Sequence, residues 1–304
     1  MKTEFPLSRL WTSTRLIVEG HILNPLWWNA TRRRARRSKV FGDVVSLYFR
    51  KHYIDALRNY TSGPVVSDDA GEKIYSIWFQ GESQAPELVR RCFDSIRKHC
   101  SNELVVLDED SLLDYITLPQ IIIDKYKAGK IKPAHFADIC RVELLYERGG
   151  YWLDATCFVT SEIPDYIRDA DFFVYRTGNT ISGYYSYIQN CFIRARKGSY
   201  LLGAWREMIL DFWTREDKRV DYFQHQIMFK TIVMNIPEAG RLFKEMPQVT
   251  HDAAHRLWLE YGDSPFDAQE YKRIVADAFF QKTTYRDKPV PGTYKDHVWH
   301  DTLI

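Results

Sequence analysis

The sequence predicts an α/β fold, a mostly parallel sheet flanked by helices, with a helical extension at its N-terminus. Three observations predict it. An apolar strand, an amphipathic helix and a second apolar strand follow one another between Lys73 and Leu107, in the order and length of a βαβ unit. A largely apolar helix stops at Gly149-Gly150 and leads straight into a short apolar strand. Apolar residues make up 45% and charged residues 27% of the 304 positions, which allows a sizeable core and excludes wholesale disorder.

Residues 1–70 form a distinct segment. Leu16-Ile17-Val18, Ile22-Leu23 and Leu26-Trp27-Trp28 precede the run Arg32-Arg33-Arg34-Ala35-Arg36-Arg37-Ser38-Lys39. A helix is expected over Phe41 to Tyr60, with Val44, Val45, Leu47, Tyr48, Tyr53, Ile54 and Leu57 as its apolar positions. This segment holds twelve Lys and Arg against six Asp and Glu, a balance of +6, so residues 71–304 carry −4 of the chain's net +2. Aromatic residues beside a polybasic cluster suit an anionic membrane surface, at about 1 kcal/mol per well-placed basic residue. Trp27, Trp28, Arg32, Arg33, Arg34, Arg36 and Arg37 are the residues expected to meet it. A solvated helix face is the bland reading and nucleic acid the rival partner; the membrane is preferred and no nucleic acid is expected. Ser62-Gly63-Pro64 through Gly71 reads as a linker, so a domain is expected over 71–304.

That domain opens with a strand over Lys73–Phe79, a helix over Pro86–Cys100 with Leu88, Cys92 and Ile96 in one row, and a strand over Leu104–Leu107. Helical stretches over Ser111–Ile116 and Pro119–Ala128 lead to the central helix, where Pro133 suits the first turn because its missing N–H would be unpaired there. Gly149-Gly150 ends that helix in the left-handed conformation. Tyr151-Trp152-Leu153, Cys157-Phe158-Val159, Phe172–Tyr175 and Gln189–Ile193 read as strands. Ser199–Phe212 and Asp221–Asn235 read as helices, the latter carrying Gln224, His225 and Gln226. Five cysteines at scattered spacings argue against a disulfide framework or a zinc site. A run of about 18 apolar residues, the length a spanning helix needs, is absent from the sequence, and a cytoplasmic location, peripheral at the inner face of the cell membrane, is expected.

Polar residues in the most apolar stretch single themselves out. Asp138 and Arg141 are three apart on one helix face, and Asp154 is a lone carboxylate in an apolar strand. An ion pair with a cap residue explains them as well as a functional pair does on local spacing alone. Ligands bind at the carboxyl ends of strands in such sheets, which places Trp78-Phe79-Gln80 and Asp154 at one rim.

The ordered set Asp138-x-x-Arg141, Leu145, Gly149-Gly150-x-x-x-Asp154, in the form Trp152-Leu153-Asp154-Ala155-Thr156, with Ile77-Trp78-Phe79-Gln80-Gly81-Glu82 and Ala85-Pro86 upstream, resembles the capsular polysaccharide synthesis family of DxD-type sugar transferases over residues 71 to about 285. The resemblance implies a GT-A-like, Rossmann-like nucleotide-diphospho-sugar transferase fold, with 71–160 as the nucleotide-sugar half and 161–304 as the acceptor half and tail. It implies a hexosyltransferase, retaining, that takes a UDP-sugar donor and a glycan or lipid-linked oligosaccharide acceptor in surface polysaccharide synthesis. Asp138 and Arg141 would hold the donor sugar and support its diphosphate, Asn190 would lie near the reacting carbon, and Lys282 would neutralise the leaving phosphate. Ile77, Trp78 and Gln80 would flank the base, with Leu153 and Ala155 beside Asp154. Asp154 would bind a divalent cation, Mn or Mg, whose hard oxygen ligands suit it. Thr156 stands where a full DxD has its second Asp, so His297 or His300 from the tail is expected to complete the shell. Two other readings compete: a sugar-phosphate transferase or protein-glycosylating relative, and a non-enzymatic basic scaffold for membrane or nucleic acid.

Overall fold

A computed structural model of the chain describes residues 34–65, 72–178 and 186–300. The strand β1 (Ile74–Ile77) is buried at every position, because it lies in the middle of a sheet covered on both faces. It pairs in parallel with β2 (Leu104–Leu107) on one side and with β3 (Gly150–Leu153) on the other. Beyond the two-stranded ribbon partner β4 (Cys157–Val159), β5 (Phe172–Arg176) and β6 (Ile188–Ala195) complete the sheet in the order β2-β1-β3-β6-β5, with β6 antiparallel to both of its neighbours. Four of these five strands therefore run in one direction, as the βαβ reading requires. Strand β7 (Phe280–Lys282) pairs with β4 in a separate antiparallel ribbon, in the register Cys157↔Lys282.

Helices cover both faces. In chain order α1 is Arg34–His52, α2 Glu87–His99, α3 Leu112–Tyr115, α4 Gln120–Lys127, α5 Pro133–Arg148, α6 Asp165–Arg168, α7 Tyr200–Arg215 and α8 Gln224–Asn235. They are followed by α9 (Pro237–Glu245), α10 (Asp252–Arg256), a single π-type turn over Leu257–Tyr261, α11 (Ala268–Ala276) and α12 (Tyr294–His300). The apolar row of α1 packs on α8, burying Val44, Val45, Tyr48 and Phe49 in the main core, with Phe49 edge-on to Phe212 at 5.7 Å. The described part of the N-terminal segment thus shares one core with the domain that begins near residue 72. Trp27, Trp28, Arg32 and Arg33 lie outside the described residues, as do the side chains of Arg34, Arg36 and Arg37 and most of the expected linker. Among the described residues no helix is long and apolar enough to cross a membrane.

Two glycines set the join between α5 and β3. Gly149 has φ of 71° and Gly150 has φ of 99°, and a Cβ on Gly150 would lie 2.5 Å from the Lys73 carbonyl oxygen. Only glycine lets the chain turn here and still press against β1. The turn directs β3 back beneath α5, so that Asp154, one residue past the strand, comes up under Asp138 and Arg141.

Candidate active site

The register Ile74↔Tyr151 and Tyr75↔Trp152, carried two residues further, sets Ile77 level with Asp154 at the carboxyl rim of the sheet. The Asp154 N–H donates to the Cys191 carbonyl on β6 at 2.8 Å, and its own carbonyl accepts from Cys157 at 2.9 Å. This tight turn fixes where the carboxylate points. Oδ1 accepts from Trp152 Nε1 at 2.9 Å and lies 3.3 Å from Arg141 Nη1, while Oδ2 accepts from Lys282 Nζ at 3.0 Å. Burial opposes the charge of Asp154, yet Lys282 and Arg141 together hold its pKa below the usual carboxylate range.

Arg141 lies behind it, seated over the Trp152 ring at 4.9 Å and donating to the Asn190 carbonyl at 2.6 Å. Its Nη2 reaches Asp138 Oδ1 at 3.2 Å. Asp138 is only 9% exposed, and protein donors surround it. Oδ1 also accepts from Asn190 Nδ2 at 2.8 Å, and Asn190 Oδ1 in turn accepts from Gln226 Nε2 at 3.0 Å. Oδ2 faces His225 Nδ1 at 3.1 Å and His135 Nδ1 at 3.6 Å. Burial by itself would raise the Asp138 pKa; Arg141 and the two imidazoles more than offset it and hold the group well below the usual range.

The two histidines and Asp138 form the one triad of metal-ligating side chains that come together among the described residues, but its protons argue against a metal. Trp213 Nε1, which can only donate, lies 2.8 Å from His225 Nε2. Arg219 Nη1, also a donor only, lies 3.2 Å from His135 Nε2. Both Nε2 atoms therefore accept, which places a ring proton of each imidazole on Nδ1, aimed at Asp138. Burial lowers the His225 pKa despite the carboxylate, so that ring is neutral at pH 7. An ion between these rings would need the lone pairs that the protons occupy.

A divalent cation fits poorly at Asp154 as well. Both of its oxygens are already engaged by cations, and Lys282 Nζ bridges Oδ2 and the Thr156 hydroxyl, the latter at 2.5 Å. His297 and His300 do not complete a shell. They lie on α12, which packs on α2 and the π-type turn, with His297 stacked on Phe266 at 3.8 Å and His300 Nδ1 held 2.9 Å from Asp296. The expected cluster of Asp154 with tail histidines is not formed among the described residues, because α12 is anchored to the second, smaller apolar cluster through Tyr294 and Val298.

A model of the capsular polysaccharide synthesis protein family matches residues 27–298. The chain belongs to that family. Among curated proteins, this family member is similar to the glycosyltransferase afumC of Aspergillus fumigatus, 25% identical over 168 residues. That match spans 49% of this chain and 42% of the relative's length. Among solved structures it is similar to the PaToxG glycosyltransferase, at 13% identity and a TM-score of 0.38, over 69% of this chain and 83% of that one.

Around the family's ordered motif, the expected residues divide by reach. Asp154 and Lys282 keep 24% and 22% of their side chains exposed, so a ligand can touch them. Asp138, Arg141 and Asn190 lie behind. Ile77 and Leu153 are buried strand residues, Ala155 is partly buried and Gln80 is exposed. Trp78 is half-buried, edge-on to Tyr285 at 5.6 Å, and its Nε1 has no hydrogen-bond partner. Sequence reasoning gave no role to His135, His225 or Gln226. The available signal was polarity where α8 should be apolar: Gln224, His225 and Gln226 are all buried at its start.

Proposed function

We propose that this chain is a glycosyltransferase that moves a hexose from a UDP-sugar to a glycan or lipid-linked oligosaccharide acceptor in surface polysaccharide synthesis. The observation that carries the reading is the gathering of Arg141 and Asp154, from consecutive elements, with Lys282, more than a hundred residues later, at a strand-end rim where the Asp154 and Lys282 side chains are partly exposed and the half-buried Trp78 follows the adjoining strand. Breaking the bond between the anomeric carbon and a diphosphate puts both electrons on a phosphate oxygen, and fixed positive charge must meet them. Lys282 is the group positioned for that. Asp154 holds Lys282 and presents its own carboxylate edge to the sugar, while Arg141, Asp138 and Asn190 are positioning residues that brace Asp154 from behind. Trp78 and Gln80 would receive the base. The acceptor oxygen would form the new bond to the anomeric carbon on the face the phosphate leaves, and its proton would pass to the departing phosphate oxygen, with retention. The nucleotide-sugar half would lie within 71–160 and the acceptor half beyond it, with the basic N-terminal segment resting on an anionic membrane.

A panel of nucleotide sugars, scored by hydrolysis and thermal shift, tests this reading. A donor at a hundred times its Kd should stabilise the fold by about 2.7 kcal/mol. Silence across the whole panel in both assays would sink it. NMR of the product anomer tests retention, and an inverted product would end the front-face mechanism.

A further inference from the structure

We propose that the Lys282 ammonium takes the place of the divalent cation in this site and itself meets the donor's diphosphate. The inference rests on the nucleotide-sugar reading above. An ammonium has three N–H donors. Lys282 spends two of them, on Asp154 Oδ2 and on the Thr156 hydroxyl. The third is left for a phosphate oxygen at the accessible face of the rim.

The charges agree with this assignment. A second carboxylate at 156 would make, with Asp154, a doubly negative pair matched to a divalent ion. Thr156 leaves a single negative charge, and a single positive charge meets it across 3.0 Å. Arg141 sits on the other oxygen of the same carboxylate, so an incoming divalent ion would face two fixed cations around one anion. Geometry agrees as well. Lys282 is not a surface side chain folded inward by chance: β7 pairs with β4, in the register that sets Lys282 against Cys157, immediately after the Asp154–Thr156 turn. Thr283 N and Oγ1 both donate to the Thr156 carbonyl, at 2.8 and 3.0 Å, and this clasp holds the end of β7 to the motif.

Calorimetric binding of UDP to the full chain, in EDTA and in Mn, tests the proposal directly. Binding should be the same within about threefold in the two buffers, and Mn paramagnetic resonance should show no ion held by the protein–UDP complex. Lys282→Met should weaken UDP by about 10- to 100-fold, the loss expected for one charge-assisted hydrogen bond, and Lys282→Arg should restore part of it. The pair Lys282→Ala with Thr156→Asp should bind UDP only when Mn is supplied. UDP binding by the unaltered chain that vanishes in EDTA and returns with Mn would overturn the inference while leaving the donor reading intact. UDP binding by neither buffer's sample would overturn both.

Discussion

Asp138 separates two physical pictures of this site, one in which it grips the donor sugar and one in which it anchors the machinery from behind. Consider Asp138→Asn. If the amide oxygen takes the place of Oδ1, it keeps its bonds from Asn190 and Arg141, and the new NH2 group then points at two Nδ1–H groups 3.1 and 3.6 Å away. If the amide flips, the NH2 group meets the guanidinium and the Asn190 amide instead. The imidazoles cannot escape by changing tautomer, because Trp213 and Arg219 donate to their far nitrogens. Either way donors face donors in a buried site, and Arg141 loses one of its two anions. Removing one partner of a buried ion pair typically costs about 3–5 kcal/mol. For a chain of 304 residues that corresponds to a fall of about 5–8 °C in Tm. Differential scanning calorimetry with parallel turnover measurements reads both quantities. An unchanged Tm with turnover lost would refute the bracing role and return Asp138 to the donor.

Further outcomes follow from the same contacts. Lys125 Nζ donates to the carbonyls of Trp213, Thr214 and Glu216 at 2.8, 2.9 and 3.0 Å and closes the end of α7; Lys125→Met should destabilise by about 3 kcal/mol, and an unshifted urea midpoint would contradict this. Gly150→Ala should lose at least about 1–3 kcal/mol from its positive φ alone, with the Lys73 carbonyl adding a clash; expression and melting at the parent's level would contradict the tight join. His225, His251 and His255 are buried with lowered pKa values, that of His255 to about 3. The unfolded chain takes up protons near pH 6.5 while these rings stay neutral in the fold. Stability should therefore be full above that pH and decline as pH falls from about 6.5 towards 4. Below about pH 4 the depressed Asp138 carboxyl adds a second decline, since the unfolded chain protonates there first. A urea midpoint that is flat between pH 7 and pH 5 would rule out neutral buried histidines.

Much of the architecture was legible in the chain because it depends on local pattern. Apolar runs at 73–79, 104–107 and 172–175 and the Gly149-Gly150 break determine strands and stop signals over a few residues, and strands appear within a residue or two of them, at Ile74–Ile77, Leu104–Leu107 and Phe172–Arg176. The ordered motif likewise singled out Asp138, Arg141 and Asp154, and those three do meet. The sequence could not say what each one faces. Whether Asp138 looks towards a donor or into the protein depends on α8, almost ninety residues later in the chain, arriving with His225 and Gln226 on the right side. The role of α1 was similarly hidden: its apolar row was visible, but only the packing of α8 and α7 decided that it faces the common core. The tail histidines were expected beside Asp154 and Lys282 only at the leaving phosphate, whereas strand pairing set Lys282 against Asp154 and an apolar anchor held α12 elsewhere. Local pattern reports which groups are present and what backbone carries them. Charge pairing across the fold is set by contacts between segments far apart in sequence, and it was the tertiary structure alone that decided which cation stands beside the carboxylate.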